Sequence, residues 1–571
     1  MLFWALVPFV PFCLGANPCP GQPPDSDTGS CRRETFDPIL RSSYPEAFVI
    51  SVNRVPRGGC FGQHDTVDVA PAGQSGVSGN YANNTLVDSC AVIIGNEGYR
   101  FGLMLPDASS WNGSFLTVGN NAFSGGITWV DMSAGVNQGL ATMSTDTGHN
   151  SSSLLTWAKN NETAQRDWGF AAMAGAVPIA KNLTTAYYGT ANDGNGDIKH
   201  SYYAGCSTGG RQGMVHIQRY PDYFDGVLIG APAFDQVHLL PWIYKLGLDN
   251  QGEGRIDPTT DFGLWTSMLV KARNFCDKKD NVTDNIVSRP DLCKMSSLND
   301  TLQCQNDGDG DCYTPAQIGV LQKLYSDTLD DGTVVYTAPE VDSEWNLFTG
   351  YVAASPDFAS SWSDNFLDYT PNGTYESLKE MISQAVAKNP GQATADDPDL
   401  SAFAARGGKL ILYQGLADGV VPPRRTENYW NAMVGQMGSV DSWASYFEVP
   451  GMQHCWLSDT ITTNTGATRN TAPWMFGGSG HAAIAAQSYP KLSGTLFGHG
   501  NPSTDALAAI QAWVEDGTKP NLTATATDNG TRDKWRQRPL CPYPLVAVLK
   551  SGAANQEPDM NEAANWTCAE R

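Results

Sequence analysis

Polar and apolar positions along the 571 residues follow two rhythms, which recur in two separated regions of the chain. Short apolar runs end in glycine-bearing turns, and between them lie longer segments whose apolar residues return at helical spacing. In the first region the segments beginning at Ser114 (SFLTVGNNAF), Gly139 (GLATMSTDTG), Ser201 (SYYAG) and Phe224 (FDGVLIGAPA) predict strands, while TAQRDWGFAAMAGAVPIAKNL and TGGRQGMVHIQRYP predict helices. In the second region GKLILYQG and WASYFEVPG predict strands, and TDALAAIQAWVEDGTKP predicts a closing helix stopped by Gly517 and Pro520. Strands alternating with helices indicate a layered α/β sheet rather than an all-β sandwich.

From about Asp235 to Ala405 that rhythm is lost, and four cysteines at short spacings, several tryptophans and acidic turns take its place. Residues 235–405 therefore read as a lid inserted into an α/β domain built from 17–234 and 406–571, with an independent domain as the alternative. Such a lid is expected to have little core of its own. No internal repeat is present.

The apolar run at the start of the chain ends in Leu14-Gly15-Ala16 and predicts a secretory signal peptide over residues 1–16. No other run reaches the roughly eighteen apolar residues that span a bilayer. Of the thirteen cysteines, removal of Cys13 leaves an even set, as expected for bridges formed outside the cell, Cys541 and Cys568 among them. Pairing among Cys19, Cys31, Cys60 and Cys90 is left open. Glycosylation sequons are dense, including Asn83, Asn112, Asn150, Asn161, Asn182, Asn299, Asn372, Asn521, Asn529 and Asn565. Together these features predict a secreted, extracellular glycoprotein. A net charge of −23 argues against nucleic acid and anionic membranes as partners, since both are bound by clustered Lys and Arg. Oligomeric state is not indicated.

Candidate chemistry begins at Tyr203-Ala-Gly-Cys-Ser-Thr-Gly-Gly-Arg211, the one Gly-x-Ser-x-Gly in the chain. A nucleophile elbow needs a strand, a sharp turn through small residues and then a helix whose first amides face the reacting oxygen. Ser207 occupies that position, and a helix N-cap is its alternative reading. With the chain order Ser, acid, His, the acid is Asp418, just past the strand GKLILYQG, unless it only forms an Asx-turn before Val-Val-Pro-Pro. His454 on the loop GMQHC is the favoured base over His481 and His499, which lie in Gly/Ser-rich loops. The doublets Cys206-Ser207 and His454-Cys455 mirror each other. A Cys206–Cys455 bridge would hold the two Cα atoms within about 4.4–6.8 Å and bring serine and histidine together; an unpaired, buried Cys206 is the alternative.

These residues resemble the fungal and bacterial tannase/feruloyl esterase family, through GCSTGGRQGM, FDGVLIGAPA, GKLILYQGLADGVVPP, PGMQHC and MSTDTGHNS. The resemblance implies an α/β-hydrolase fold with a large inserted lid, and a Ser207–Asp418–His454 triad with a disulfide joining the two doublets. It also implies hydrolysis of a phenolic ester, either a small one or a feruloylated polysaccharide, with no organic cofactor. A bacterial hydrolase of mono(2-hydroxyethyl) terephthalate looks similar too, so the fold leaves the acyl group open. SGGITWVDMSAGV and ATMSTDTGHNS look more like the feruloyl branch than the gallate branch. A catalytically inactive, calcium-stabilised polysaccharide-binding protein is the rival from another class.

The family usually has a glycine-rich run where this chain has Val118-Gly-Asn-Asn-Ala-Phe123. By resemblance the oxyanion hole is expected from Thr208 and from this turn, at Asn121 or Ala122. The loop between Cys276 and Cys293 carries Asp277, Asp280 and Asp284, a carboxylate set that suits a hard cation or a solvated acidic loop. The resemblance implies a structural Ca²⁺ there, with the carbonyls of Val282 and Ile286. The sequon at Asn281 falls inside this loop. NDGDGDCY imitates an EF-hand start, but Cys312 replaces the required glycine and Ile318 the closing glutamate, so a turn closed by Cys304–Cys312 is expected.

Overall fold

Apolar runs that end in glycine become the inner strands of the sheet, because only strands covered on both faces tolerate such continuous hydrophobicity. The computed structural model describes residues 29–59, 61–62, 87–150, 155–191, 195–257, 260–306, 311–352, 357–455, 460–462, 468–470, 500–527 and 534–571. The predicted signal peptide, Cys19, Cys60, the sequons at Asn83 and Asn529, Asp307, Asp309, His481 and His499 lie outside the described residues.

Up to residue 449 the strands are β1 (Phe48–Val55), β2 (Ser89–Asn96), β3 (Tyr99–Pro106), β4 (Ser114–Val118), β5 (Ala141–Thr145), β6 (His200–Cys206), β7 (Gly226–Gly230), β8 (Thr328–Asp330), β9 (Thr333–Tyr336), β10 (Lys409–Gly415) and β11 (Ala444–Val449). Nine of them form one sheet in the order β1-β2-β3-β5-β4-β6-β7-β10-β11. From β5 to β11 all neighbours are parallel, and β4, β5 and β7 are buried at every position. One face is covered by helices Arg33–Ser43, Ala172–Ala191 and Pro423–Met437, through Phe36, Val177, Leu183 and Met433. Helices Trp129–Asn137 and Ala506–Asp516 cover the other with Trp129, Met132, Ile510 and Trp513. The closing helix starts where Asp505 accepts the amides of Leu507 (2.9 Å) and Ala508 (3.2 Å), and stops at Gly517, whose φ of +71° suits glycine.

Two parts went unread in the sequence. Strands β1, β2 and β3 extend the sheet by antiparallel pairing, and Thr523–Thr527 pairs with Lys534–Pro539 near the C-terminus. The expectation of a poor lid core is corrected. The chain between β7 and β10 folds into helices Gln236–Asp249, Phe262–Cys276, Pro315–Leu324 and Tyr375–Lys388 around a hairpin of β8 and β9. With the helix Asp357–Trp362 they bury Trp242, Trp265, Leu321, Trp362 and Met381 in a second cluster, which Leu155, Trp168 and Val421 from outside the lid join. The tryptophans that broke the strand rhythm are the centre of that cluster, each burying about 150–250 Å². Five disulfides join described residues: Cys31–Cys90, Cys206–Cys455, Cys276–Cys293, Cys304–Cys312 and Cys541–Cys568. Among the described residues no helix is long and apolar enough to cross a membrane.

Asp131, in the helix Trp129–Asn137, is 3% exposed, and its Oδ1 has no hydrogen-bond partner among the described residues. Burial pushes its carboxyl well above the ordinary range. The folded chain then keeps a proton that the unfolded chain releases above about pH 4, so stability is lost as pH rises through that window. Asp131→Asn keeps the shape and removes the ionisation. It is expected to raise the Tm by roughly 2–4 °C at pH 8 and to leave it nearly unchanged at pH 4, read by thermal unfolding at both pH values.

Candidate active site

Ser207 follows β6 directly and opens the helix Thr208–Arg219 with φ 63° and ψ −121°, a conformation that costs a non-glycine residue about 1–3 kcal/mol. Small neighbours make the turn possible: a Cβ on Gly205 would stand 2.7 Å from the Gly209 carbonyl carbon, and one on Gly119 would stand 2.5 Å from the Gly209 Cα. The Ser207 amide donates to Gly230 O (3.1 Å), while its hydroxyl has no hydrogen-bond partner among the described residues. The Ser207 side chain thus sits at the carboxyl end of the parallel sheet, on a turn fixed by backbone contacts.

Asp418 lies past the end of β10 and is fully buried. Its Oδ1 accepts the amides of Val420 (2.8 Å) and Val421 (2.9 Å), and its Oδ2 accepts Gln414 Nε2 (2.9 Å) and stands 2.8 Å from His454 Nδ1. These partners take the place of the solvent that burial removes from the carboxyl group. His454 belongs to the loop after β11, and its neighbour Cys455 is bridged to Cys206 with a Cα–Cα distance of 5.9 Å. The bridge sets the two doublets side by side.

The turn after β4 lies against the elbow. Asn120 N–H donates to Gln212 Oε1 (2.9 Å), so this amide is already spent. The amides of Asn121, Ala122 and Thr208 have no partner among the described residues, and the Ala122 carbonyl accepts the Thr208 hydroxyl (2.8 Å) at a φ of +45°.

Beside this turn stands an aromatic wall. Phe123 stacks on Trp168 at 4.6 Å and meets Phe358 and Phe366 of the lid edge-on at 5.9 and 5.7 Å. Trp168 is fixed from behind by Arg211, a fully buried guanidinium 4.2 Å from its ring centre that also donates to Gly169 O (2.6 Å). Burial pushes Arg211 down to about 9 and His149, stacked on Trp157 at 4.0 Å, down to about 4, so this wall carries a neutral imidazole at neutral pH.

A profile for tannase and feruloyl esterase matches residues 96–389 and 346–569, most of the chain. The protein belongs to the tannase and feruloyl esterase family. It is 29% identical over 446 residues to a probable feruloyl esterase B-1 of Aspergillus oryzae, covering 76% of each chain. It is 27% identical over 474 residues to feruloyl esterase B of Aspergillus niger, covering 80% of this chain and 82% of that one. The fold superposes on the crystal structure of feruloyl esterase B from A. oryzae with a TM-score of 0.74 at 24% identity, covering 94% of this chain and all of that one. For the tannin acyl hydrolase from A. niger the TM-score is 0.68 at 20% identity, with 95% of each covered. The fold is therefore an α/β-hydrolase with a large inserted lid, and this family member is a carboxylic ester hydrolase.

In the lid loop closed by Cys276–Cys293, each of the three carboxylates is held by the loop's own amides: Asp277 accepts from Asp284 (3.1 Å) and Asn285 (2.9 Å), Asp280 from Val282 (3.0 Å) and Asp284 from Ile286 (3.1 Å). Burial, reinforced by Asp284, pushes Asp277 and Asp280 up to about 6. Arg538 pairs with Asp284, and Arg536 donates to the Asp284 carbonyl (2.9 Å). Among the described residues no three His, Cys, Asp or Glu side chains converge into a metal cluster. The loop's carboxylates are oxygen donors of the kind a hard cation takes, while Arg536 and Arg538 already offset part of its charge.

Several contacts at the site carried no sequence signal. The lid touches the acid loop directly: a Cβ on Gly419 would lie 2.4 Å from Leu347 N and 2.7 Å from Ser343 O, both backbone atoms. Gly419→Ala must therefore push the lid off Asp418. It is expected to cost about 1–3 kcal/mol of stability and to lower kcat, read by urea unfolding and by ester turnover; unchanged values for both would show that the contact does not matter.

Proposed function

We propose that this protein is a secreted serine esterase that cleaves phenolic acid esters, with feruloyl and related hydroxycinnamoyl esters of plant cell-wall polysaccharide favoured over gallate esters. The observation that carries the reading is the Asp418–His454 hydrogen bond held beside the strained Ser207 by the Cys206–Cys455 bridge. The names of the relatives support the acyl class, and the aromatic wall of Phe123, Trp168, Phe358 and Phe366 suits a planar acyl ring. Five bridges support secretion.

In this mechanism His454 Nε2 takes the proton of Ser207 as its oxygen attacks the ester carbonyl. Asp418 holds the ring so that Nδ1–H faces the carboxylate and Nε2 is free to act as base. The carbonyl oxygen becomes an oxyanion that accepts from the Thr208 amide and from Asn121 or Ala122, which have no other partner to give up. The proton on His454 passes to the departing alcohol, leaving an acyl-serine. A water, deprotonated by His454, releases the acid and returns the proton to Ser207. A turn that holds Ser207 strained with its hydroxyl uncommitted favours this chemistry over a purely binding role.

We further propose that Asp277, Asp280 and Asp284, with the carbonyls of Val282 and Ile286, hold one structural Ca²⁺. It would supply charge neutralisation for a carboxylate loop and take no part in the reaction.

Ser207→Ala is expected to lose at least about 10⁴-fold in kcat on p-nitrophenyl acetate, and Asp418→Asn about 10⁴-fold. Equal inactivity of wild type and Ser207→Ala on every ester offered would end the esterase mechanism. Initial rates on methyl ferulate, methyl caffeate, methyl gallate and the terephthalate monoester are expected to rank the hydroxycinnamates first. For the cation, elemental analysis should find about one calcium per chain. Chelation should lower the Tm of wild type but not of Asp277→Ala/Asp280→Ala.

A further inference from the structure

The two side chains that follow the elbow glycines hold different neighbours, Arg211 the ring of Trp168 and Gln212 the turn at Asn120. Gln212 is 1% exposed and four residues into the helix that Ser207 opens, yet both ends of its amide are spent on one residue of another loop. Its Oε1 accepts Asn120 N–H (2.9 Å), and its Nε2 donates to Asn120 Oδ1 (3.2 Å). Asn120, 2% exposed, continues the chain of bonds by donating its Nδ2 to Thr145 O at the end of β5 (2.7 Å). A paired amide in a dry interior is worth more, and costs more to break, than one at the surface.

What this clasp holds is the turn that carries the unspent amides. Gln212 fixes its start at Asn120, and the Thr208 hydroxyl fixes its far side at the Ala122 carbonyl. Between those pins stand the Asn121 and Ala122 amides, which like that of Thr208 have no partner among the described residues. Where a relative can rely on glycines to shape such a turn, Asn-Asn-Ala must be held from outside, because Ala122 sits at a φ of +45° that its own side chain disfavours.

We infer that Gln212 is a positioning residue of the esterase reaction: by clasping Asn120 it keeps the Asn121–Ala122 amides aimed, with that of Thr208, at the developing oxyanion. This rests on the serine-esterase reading given above. Gln212 touches no substrate, so its loss acts on the transition state and not on ester binding.

The experiment compares wild type with Gln212→Met, which keeps the length without the amide, and Gln212→Asn, which withdraws the amide by one methylene and guards against a Met variant that fails to fold. Each is assayed on p-nitrophenyl acetate and methyl ferulate, with Tm recorded. The expected result is a fall in kcat of about 10²-fold with KM within about threefold, the signature of a lost oxyanion donor. Inhibition by a short alkyl boronic acid, which adds to the serine oxygen as a tetrahedral anion, should weaken in proportion to kcat. Product ferulate should bind as to wild type. Gln212→Glu, which keeps an acceptor for Asn120 N–H, should recover part of the lost kcat. An unchanged kcat in a folded variant, or a loss carried by KM with boronate affinity intact, would overturn the inference. Inactivity of wild type itself on every ester would instead refute the esterase reading on which it rests.

Discussion

The bridge between Cys206 and Cys455 is the constraint on which the arrangement of the site depends. β6 and β11 are separated in the sheet by β7 and β10, a lateral distance of about 14 Å at the usual strand spacing. The loop after β11 therefore has to travel back across two strands to place Cys455 with its Cα 5.9 Å from that of Cys206. Nothing in the sheet ladder enforces that journey. The covalent bond does, and it closes a separation of 249 residues, for which the chain-entropy account gives about 5 kcal/mol of stabilisation. A cysteine beside the proposed nucleophile is thus a device for delivering the proposed base.

Around that clasp the other parts act by occupying directions. Asp418, buried and fully bonded, leaves His454 one orientation of its ring. The lid is more than a cover, because Ser343 and Leu347 rest on the backbone of Gly419 and so back the acid loop from the solvent side. On the other flank, Arg211 and Gln212 project from one helix to hold two neighbouring features, the first the aromatic wall through Trp168 and the second the turn through Asn120. The elbow helix is therefore the common mount for the nucleophile and for both sides of the proposed acyl site.

How much of this could be read from the chain follows from how local each signal is. Parallel strands such as Gly226–Gly230 announce themselves as continuous apolar runs, and the order of Ser207, Asp418 and His454 needs only chain position. The lid core was hidden because its helices are separated by irregular, acidic stretches, and nothing local says which of their apolar faces meet. The same holds for β1 to β3, whose antiparallel pairing is decided by partners and not by composition. Contacts such as Asn120 with Gln212, 92 residues apart, or Leu347 with Gly419, consist of ordinary polar and small residues; only the fold makes them neighbours. The acidic loop between Cys276 and Cys293 was legible as chemistry but not as geometry, since its carboxylates are turned toward their own amides.

The central claim is that the bridge delivers His454 to Ser207. It is tested most directly by the rate at which a p-nitrophenyl alkylphosphonate labels Ser207, followed by release of p-nitrophenol and located by peptide mass spectrometry. In a folded Cys206→Ala/Cys455→Ala variant the labelling rate is expected to fall by at least about 10²-fold, since an unpositioned base loses most of the 10²–10⁴-fold that proton transfer contributes. Labelling of Ser207 at the wild-type rate in that variant would contradict the account.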